Sequence, residues 1–578
     1  MAGLLSVVSD LLQPAFDALE AGADPVVRPS NQAGADFQAN GALALAKTLR
    51  RPPATLAAEA VAGVDGGDWL QSIQVAGPGF INVTVAPAWL AGRLRAAAAD
   101  PRLGRTASPP LTVVIDYSSP NVAKEMHAGN MRSAIIGDAL ARLLADAGHR
   151  LIRQNHVGDW GTQFGMLIEY LIDVGEEAGA GALSVGDLNG FYRQARAAFD
   201  ASEEFKARSR SRVVALQSGD PDTLRLWRIL VDESVRYFSE VYPRLGVLLE
   251  PSDVVGESFY NPLLPMVLAD LGAKGLLVES EGALCVFPEG FTNREGRPLP
   301  LIVRKSDGGF GYTATDLAAV YDRFGRVGAD LALYVVGSPQ AQHLAMVFAT
   351  GHAAGWIPAG GEARHVAFGS MLGQDRKMFK TRAGDVVKLA DVMDEAVERA
   401  AAAVAAKNPD LDESERAVVA RSVGIGALKY GDLSTDRTRD YVFDWDRMLA
   451  FEGNTAPYLQ YAHARIRSIF RRGGVAVAAY ESGQVPVLVD DPAERALAVA
   501  LLGFGTAVDA AIEAYGPHKL TTYLFELAGA FTAFYESCPV LRAEGPAVRD
   551  SRLALCAITA RTLSAGLGLL GIDSPERM

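Results

Sequence analysis

The sequence predicts a multidomain protein. Its centre is a Rossmann-like, doubly wound α/β domain carrying an insertion; a small α/β domain precedes it and an all-α bundle follows. Three observations predict this. Residues 111–157 run from a β-branched segment through a polar, proline-containing loop into an amphipathic helix and on to a second strand-like segment, the strand–helix–strand unit of a parallel sheet. That alternation stops near residue 172, gives way to charged helical sequence, and resumes near residue 300. From residue 389 onward helical sequence dominates, as in a helical bundle.

Taken in order, residues 1–108 form the first expected domain. It holds an amphipathic opening helix, DFQAN at 36–40, the helical ALALAKTL and the strand-like GPGFINVTV at 77–85. Residues 101–110, rich in Pro, Gly and Arg, read as a linker. The second domain, 109–390, opens on a strand at 111–115 and the loop DYSSPNVAKEM. The helix that starts at His127-Ala128-Gly129-Asn130 places Ile135, Ile136, Ala139, Leu140, Leu143 and Leu144 on one buried face, and Gly148 ends it. A strand at 151–157 closes the unit. Residues of about 172–300 form the insertion, with charged helices at 199–212 and 222–242. The domain resumes with 300–304, GGFGYTATDLAAVYDRF, a strand at 332–336 and another around 365–368. Residues 391–450 read as a helical connector and 451–578 as an α-helical domain.

At 578 residues the chain is too long for a single core. With 49% hydrophobic and 21% charged residues, its composition is that of a soluble globular enzyme. Cys285, Cys538 and Cys556 show no CxxC or Cys/His spacing. That argues against a disulfide framework or a structural metal site and fits a reducing cytoplasm. The opening residues lack a basic head and carry Asp10, so they read as a helix rather than a signal peptide. The longest apolar runs, such as 496–508, fall short of the roughly 20 residues a membrane span needs. A net charge of −13 argues against indiscriminate nucleic-acid binding, DNA included. It leaves room for a folded RNA held through local basic strips.

A strand, a tight loop and a helix N-terminus aimed at phosphate are how a doubly wound domain builds a nucleotide site. His127 stands immediately before the helix, where a ring N–H meets a phosphate oxygen, and Gly129 permits close approach of an adenine ring. Two acids fall where strand ends meet this site: Asp116 after the first strand, and Asp316 opening a later helix four residues after Tyr312. In the C-terminal domain Tyr458, Tyr461 and Arg465 share one helix face at i, i+3 and i+7, suited to stacking on splayed bases. Residues 451–578 carry 11 Lys and Arg against 13 Asp and Glu, so RNA binding there must depend on clusters such as Arg465, Arg467, Arg471 and Arg472.

HAGN, with PNVAKEM before it and MRSAIIGDA after it, resembles the His-x-Gly-His signature of class I aminoacyl-tRNA synthetases. The flanking residues narrow the resemblance to the arginyl-tRNA synthetase family, over about residues 30–578. The resemblance implies that ATP and L-arginine give arginyl-adenylate and pyrophosphate, and that the arginyl group passes to the 2′-hydroxyl of the terminal adenosine of tRNA(Arg). ATP is then a substrate, accompanied by Mg2+, and no metal ligands are expected in the protein. KMFKT at 377–381 is similar to the family's Lys-Met-Ser-Lys-Ser loop, so Lys377 and Lys380 would neutralise phosphates as pyrophosphate leaves, with help from Lys124. Asn130 departs from the signature's second histidine. By resemblance Asp116, Tyr312 and Asp316 would surround the substrate guanidinium, a planar fork of donors. Ser118 would line that pocket, Asn121 and Gln340 would meet the α-amino end, and His156 and Gly158 in NHVGDWG would face the adenosine. The C-terminal domain would read the anticodon through Tyr458, Tyr461 and Arg465, with the terminal SPERM and its Met578 involved. Gln38, Phe80 and Asn82 would touch the tRNA elbow. The chain is expected to act as a monomer in the cytoplasm, off membranes. The alternative is a catalytically impaired paralogue that binds RNA or senses an amino acid, which Asn130 alone favours.

Overall fold

The computed structural model describes residues 4–30, 32, 34–175, 188–379 and 387–578. They form two compact units: 108–398 with 435–445, and 1–107 with 399–434 and 446–578.

The first section starts with α1 (Leu4–Asp17), which buries Val8, Leu12 and Phe16. An antiparallel sheet of order β1-β2-β4-β3 follows, from β1 (Val27–Pro29), β2 (Phe37–Ala39), β3 (Leu70–Ala76) and β4 (Phe80–Val85). Two helices, α2 (Gly41–Leu49) and α3 (Pro53–Ala62), intervene, and α4 (Pro87–Ala99) closes the section. Strand β4 alternates as a half-buried strand must: Ile81, Val83 and Val85 are buried, whereas Phe80, Asn82 and Thr84 are half-buried.

The nucleotide-type unit opens with β5 (Thr112–Asp116), α5 (Ala128–Asp146), β6 (Arg150–Gln154) and α6 (Thr162–Val174). The insertion supplies α7 (Leu188–Ala201), α8 (Glu203–Gln217), α9 (Pro221–Leu245) and α10 (Leu264–Ala273). An antiparallel sheet of β7 (Val278–Ser280), β8 (Ala283–Val286) and β9 (Leu301–Arg304) follows; residues 300–304, expected to resume the central domain, are thus corrected to a strand of this side sheet, paired with β8 and not with the main sheet. Then come α11 (Tyr312–Gly325), β10 (Leu331–Tyr334), α12 (Ala341–Ala353) and β11 (Glu362–His365). The main sheet is parallel, in the order β11-β10-β5-β6. Its register aligns Asp116 with Gln154 and with Tyr334, and Tyr334 with His365, so the four strand ends lie level. Helix α5 is buried along most of its length, and Gly137 is required where it meets β5: a Cβ there would lie 2.3 Å from Cβ of Tyr117. Arg132, 1% exposed, donates through Nη1 to the carbonyl of Gly369 (2.6 Å) and of Arg439 (3.1 Å). Those contacts fix β12 (Met371–Leu372) and β13 (Tyr441–Val442), which pair in parallel.

The helical section comprises α13 (Leu389–Lys407), α14 (Glu413–Leu433), α15 (Ala456–Gly473), α16 (Pro492–Leu502), α17 (Phe504–Glu513), α18 (His518–Ser537) and α19 (Pro546–Leu569). Side-chain caps start three of them: Asp412 accepts from the Glu415 N–H, Thr455 from the Tyr458 N–H and Asp491 from the Ala493 N–H. Residues 1–107 belong to the same compact unit as this section because arginines tie them together. Arg495 pairs with Asp36, and Arg561 donates to the carbonyls of Ala98 (2.6 Å) and Asp100 (2.7 Å). One expectation is corrected. Pro492–Glu513 is 22 residues of helix, long and apolar enough to cross a bilayer. The apolar run around 496–508 is longer than it reads because Gly503 only joins α16 to α17, and both pack on α18.

Candidate functional sites

In the main sheet β5 leads outward through α5 to β6, whereas β10 leads the other way to β11. The loops after β5 and β10 therefore part at one point, the switch position where open α/β sheets bind ligands. Residues 116–127 and 335–340 are those loops.

The first loop has an unusual backbone. Ser118 (φ 70°), Ser119 (φ 45°) and Ala123 (φ 61°) all adopt left-handed conformations, which cost a non-glycine residue roughly 1–2 kcal/mol each. Such strain persists only where the surroundings over-determine it, typically at functional sites. The Ser118 N–H donates to Ser133 Oγ (2.9 Å) and the Ser119 N–H to Asn155 Oδ1 (2.9 Å). Gly158 lies against the same loop: its N–H bonds the Pro120 carbonyl, and a Cβ there would sit 2.5 Å from Asn121 Oδ1. Ser118 itself is 5% exposed and its hydroxyl meets the Tyr242 hydroxyl at 2.9 Å. Ser118 thus braces the loop from behind.

His127 is the N-cap of α5. Its N–H donates to Asn130 Oδ1 (3.0 Å), so Asn130 closes the first helical turn, a role the sequence reading missed. Gly129 is needed because a Cβ would lie 2.9 Å from the His127 ring. Partial burial and the charge of Lys124 hold the His127 imidazole below its ordinary pKa, so it is neutral at pH 7. Lys124 lies 4.1 Å from the Tyr192 ring. Asn121, Lys124, His127, Asn130 and Lys388 line a polar cavity of about 280 Å3. The backbone of 387–389 pairs with His127 there: Ala128 N–H donates to the Val387 carbonyl and Leu389 N–H to that of Met126. Lys388 meets Glu125 at 2.8 Å. Lys377 is exposed at the end of a tight hairpin in which its carbonyl accepts from Gly373 N–H. Lys380 lies outside the described residues.

The expected acidic cage needs its main correction at Asp116. Asp116 does not stand free: its Oδ2 pairs with Arg323 Nη2 at 2.7 Å and its Oδ1 accepts from Ser119 Oγ at 2.7 Å. Arg323 is fully buried, lies over the Tyr334 ring, and donates from Nε to Gln154 Oε1 (2.7 Å). Burial would raise the Asp116 carboxyl, but the charges of Arg323 and His156 outweigh it and hold it below the ordinary range. His156 Nδ1 is 3.7 Å from Asp116 and its ring packs on Tyr260, while Trp160 packs edge-on against Trp227.

Asp316 is different. It lies two turns before Arg323 on α11, 23% exposed, with Oδ2 at 2.6 Å from Nε2 of His343 on α12. Tyr312, one turn earlier and 63% exposed, meets the His343 ring edge-on. Gln340 is exposed and caps α12 beside His343. Glu257, from the insertion, was missed by sequence reading. Burial, then the charges of Asp316 and Asp159, push its carboxyl up to about 8. Glu257 thus shares this region with Asp316 and Asp159. No local motif marks Glu257; only the fold brings it to Asp316.

In the other unit, Tyr461, Arg465, Arg471, Arg472, Tyr535 and Met578 help line a polar cavity of about 640 Å3. Arg465 stacks on Tyr535 (4.3 Å), and Lys407 covers both Phe451 and Tyr461. Tyr458 turns inward to Phe525. Two arginines of the expected RNA cluster have other work: Arg467 pairs with Glu576 (2.6 Å), and Arg471 donates to the Glu576 carbonyl (3.0 Å). With Gln460 to the Asp573 carbonyl and His463 to that of Pro575, they dock SPERM along one face of α15. Met578 packs beside Val404 and Leu411, and its carbonyl accepts from Asn408. In the N-terminal sheet Gln38 pairs with Asn82 in register and donates to it at 3.0 Å, beside Phe80 on the same half-buried face.

A strained loop at a switch point, a histidine-capped helix and a lysine hairpin are the parts of a class I aminoacyl-tRNA synthetase, and the family model described as "tRNA synthetases class I (R), catalytic domain" matches residues 95–445. The arginyl-tRNA synthetase N-terminal domain model matches 4–85 and the DALR anticodon binding domain model 459–578. The chain belongs to the arginyl-tRNA synthetase family. It is 53% identical over 573 residues to the arginine–tRNA ligase of Thermobifida fusca, covering 99% of this chain and 98% of that one. It is 49% identical to the arginine–tRNA ligase of Edwardsiella ictaluri, covering 99% of each. Among solved structures, the arginyl-tRNA synthetases of Plasmodium falciparum (TM-score 0.84, 28% identity) and Thermus thermophilus (TM-score 0.81, 27% identity) each match over the full length of both chains. The activity is arginine–tRNA ligation with ATP as substrate, and these relatives give no support to an impaired paralogue.

Proposed function

We propose that L-arginine is activated at the switch point, with its guanidinium on Asp316, Glu257 behind it and Tyr312 flanking it. The observation that carries this is geometric: Asp316 is 23% exposed at 2.6 Å from His343, with Tyr312 edge-on to the same ring, and its charge helps push the buried Glu257 carboxyl up to about 8. Asp116 and Ser118 act from beneath, through Arg323 and Tyr242. Asn121 and Gln340 meet the α-amino end. ATP lies over Gly129 and Gly158 near His156, with its phosphates among His127, the Asn130 amide, Lys124, Lys377 and Lys380. A carboxylate oxygen of arginine attacks the α-phosphorus, and the bond to the pyrophosphate oxygen breaks. The neutral His127 ring and the helix N-terminus stabilise the charge that gathers on the phosphate oxygens. The 2′-hydroxyl of the tRNA's terminal adenosine then attacks the arginyl carbonyl and AMP leaves.

Among the described residues no three His, Cys, Asp or Glu side chains cluster to hold a metal. Magnesium would therefore enter on the triphosphate, its ligands phosphate oxygens and water. The anticodon loop docks at the cavity of Tyr461 and Arg465, with Met578 and the half-buried Tyr458 shaping it; Gln38, Phe80 and Asn82 meet the tRNA elbow. The protein works as a cytoplasmic monomer.

Arginine-dependent exchange of pyrophosphate into ATP, with and without tRNA, tests the reading; no exchange under either condition contradicts it. Two further outcomes are expected. At pH 7 Glu257 carries a proton that a bound guanidinium favours losing, so kcat/KM for arginine rises with pH until about 8 and then levels. Glu257→Gln abolishes that rise; an unchanged pH profile counts against Glu257 in the cage. Arg465→Ala raises the tRNA KM by about tenfold, the worth of one stacked base or phosphate contact, with the arginine KM unchanged.

A further inference from the structure

We infer that the insertion is a brace for the strained loop of residues 118–125, and that Ser234 and Tyr242 on α9 are positioning residues for arginine activation. The inference rests on the site assigned above. The insertion grips that loop at four successive places. The Tyr242 hydroxyl meets Ser118 Oγ at 2.9 Å and accepts from Asn155 Nδ2 at 2.9 Å. The Ala123 N–H donates to Ser234 Oγ at 2.9 Å, and that hydroxyl donates onward to the Leu230 carbonyl. The Lys124 ammonium lies over Tyr192, and the Glu125 N–H donates to Asn189 Oδ1 (3.1 Å), both on α7. Ser234 and Tyr242 are 0% and 2% exposed and share one face of α9 with Trp227, which donates to the Asp159 carbonyl. Two of the gripped residues, Ser118 and Ala123, are left-handed. A loop held in sparsely populated conformations relaxes when a hydrogen bond is removed, and Asn121, Lys124 and His127 move with it.

The test uses the full-length protein with tRNA present, measuring pyrophosphate exchange, aminoacylation and thermal midpoint. Tyr242→Phe and Ser234→Ala are each expected to lower kcat about tenfold, the effect of one lost hydrogen bond at a positioned group, with the tRNA KM and thermal midpoint close to parental. Tyr242→Phe combined with Ser118→Ala removes one shared bond, so the double variant is expected to be no slower than the slower single variant. Ser239→Ala, on the same helix but with its hydroxyl bonded among the described residues to the Val235 carbonyl, keeps parental rates. Parental kcat in Tyr242→Phe and Ser234→Ala overturns the brace and leaves the arginine site standing. So do losses that track the thermal midpoint and add in the double variant. A parent protein without arginine-dependent exchange overturns the site reading and the brace together.

Discussion

Arg323→Leu is expected to destabilise the nucleotide-type unit by about 3–5 kcal/mol, because it strands Asp116 as an uncompensated buried charge. Both side chains lie under the sheet's switch point, 0% and 6% exposed, and their 2.7 Å contact joins α11 to the end of β5. Urea denaturation of variant and parent reads the effect. The sign of its pH dependence follows from Asp116. Its folded carboxyl is held below the ordinary value, so the pair stabilises the fold above the unfolded carboxyl's pKa of about 4 and loses that contribution as pH falls through the folded value. In the variant burial acts on Asp116 against only His156 and the Ser119 hydroxyl, which shifts it toward its protonated form. The gap between parent and variant should therefore be widest near pH 7 and narrow on acidification. A variant as stable as the parent at pH 7 would mean that Asp116 is neutral or solvated in the fold.

Asp316→Ala is expected to raise the arginine KM by about 100-fold or more while the ATP KM changes less than about threefold. Removing one partner of a desolvated charge pair costs about 2–5 kcal/mol, and every 1.4 kcal/mol is tenfold. His343 and Tyr312, which touch Asp316 or each other, remain in place. Equal effects on the two constants would place Asp316 in general support of the site.

The local pattern carried much of the fold. The stripe from Ile135 to Leu144 marked α5 and HAGN its start; Asp316, read as opening a helix, lies one turn inside one that starts at Tyr312. What it could not carry were partners set by tertiary structure. Arg323 stands 207 positions from Asp116 and no local pattern marks it, yet it occupies the carboxylate expected to await substrate. Glu257 and Tyr242 sit in the insertion, where sequence shows only charged helix and short strand, and they reach the site because α9 and the chain after it fold back over the loop. Asn130 looked like a loss, the missing charge of a histidine; its carbonyl oxygen instead serves the helix cap. Arg467 and Arg471 looked like RNA ligands, and their carboxylate and carbonyl partners lie over 100 residues later in the terminal segment.

We propose that Asp316, and not the Arg323-paired Asp116, receives the substrate's positive charge beside the His127 loop. A crystal structure of the protein with L-arginine tests it most directly. Guanidinium nitrogens are expected within about 3 Å of an Asp316 carboxylate oxygen, with the Asp116–Arg323 pair intact. A guanidinium bound to Asp116 with Arg323 displaced, or bound away from Asp316, would contradict it.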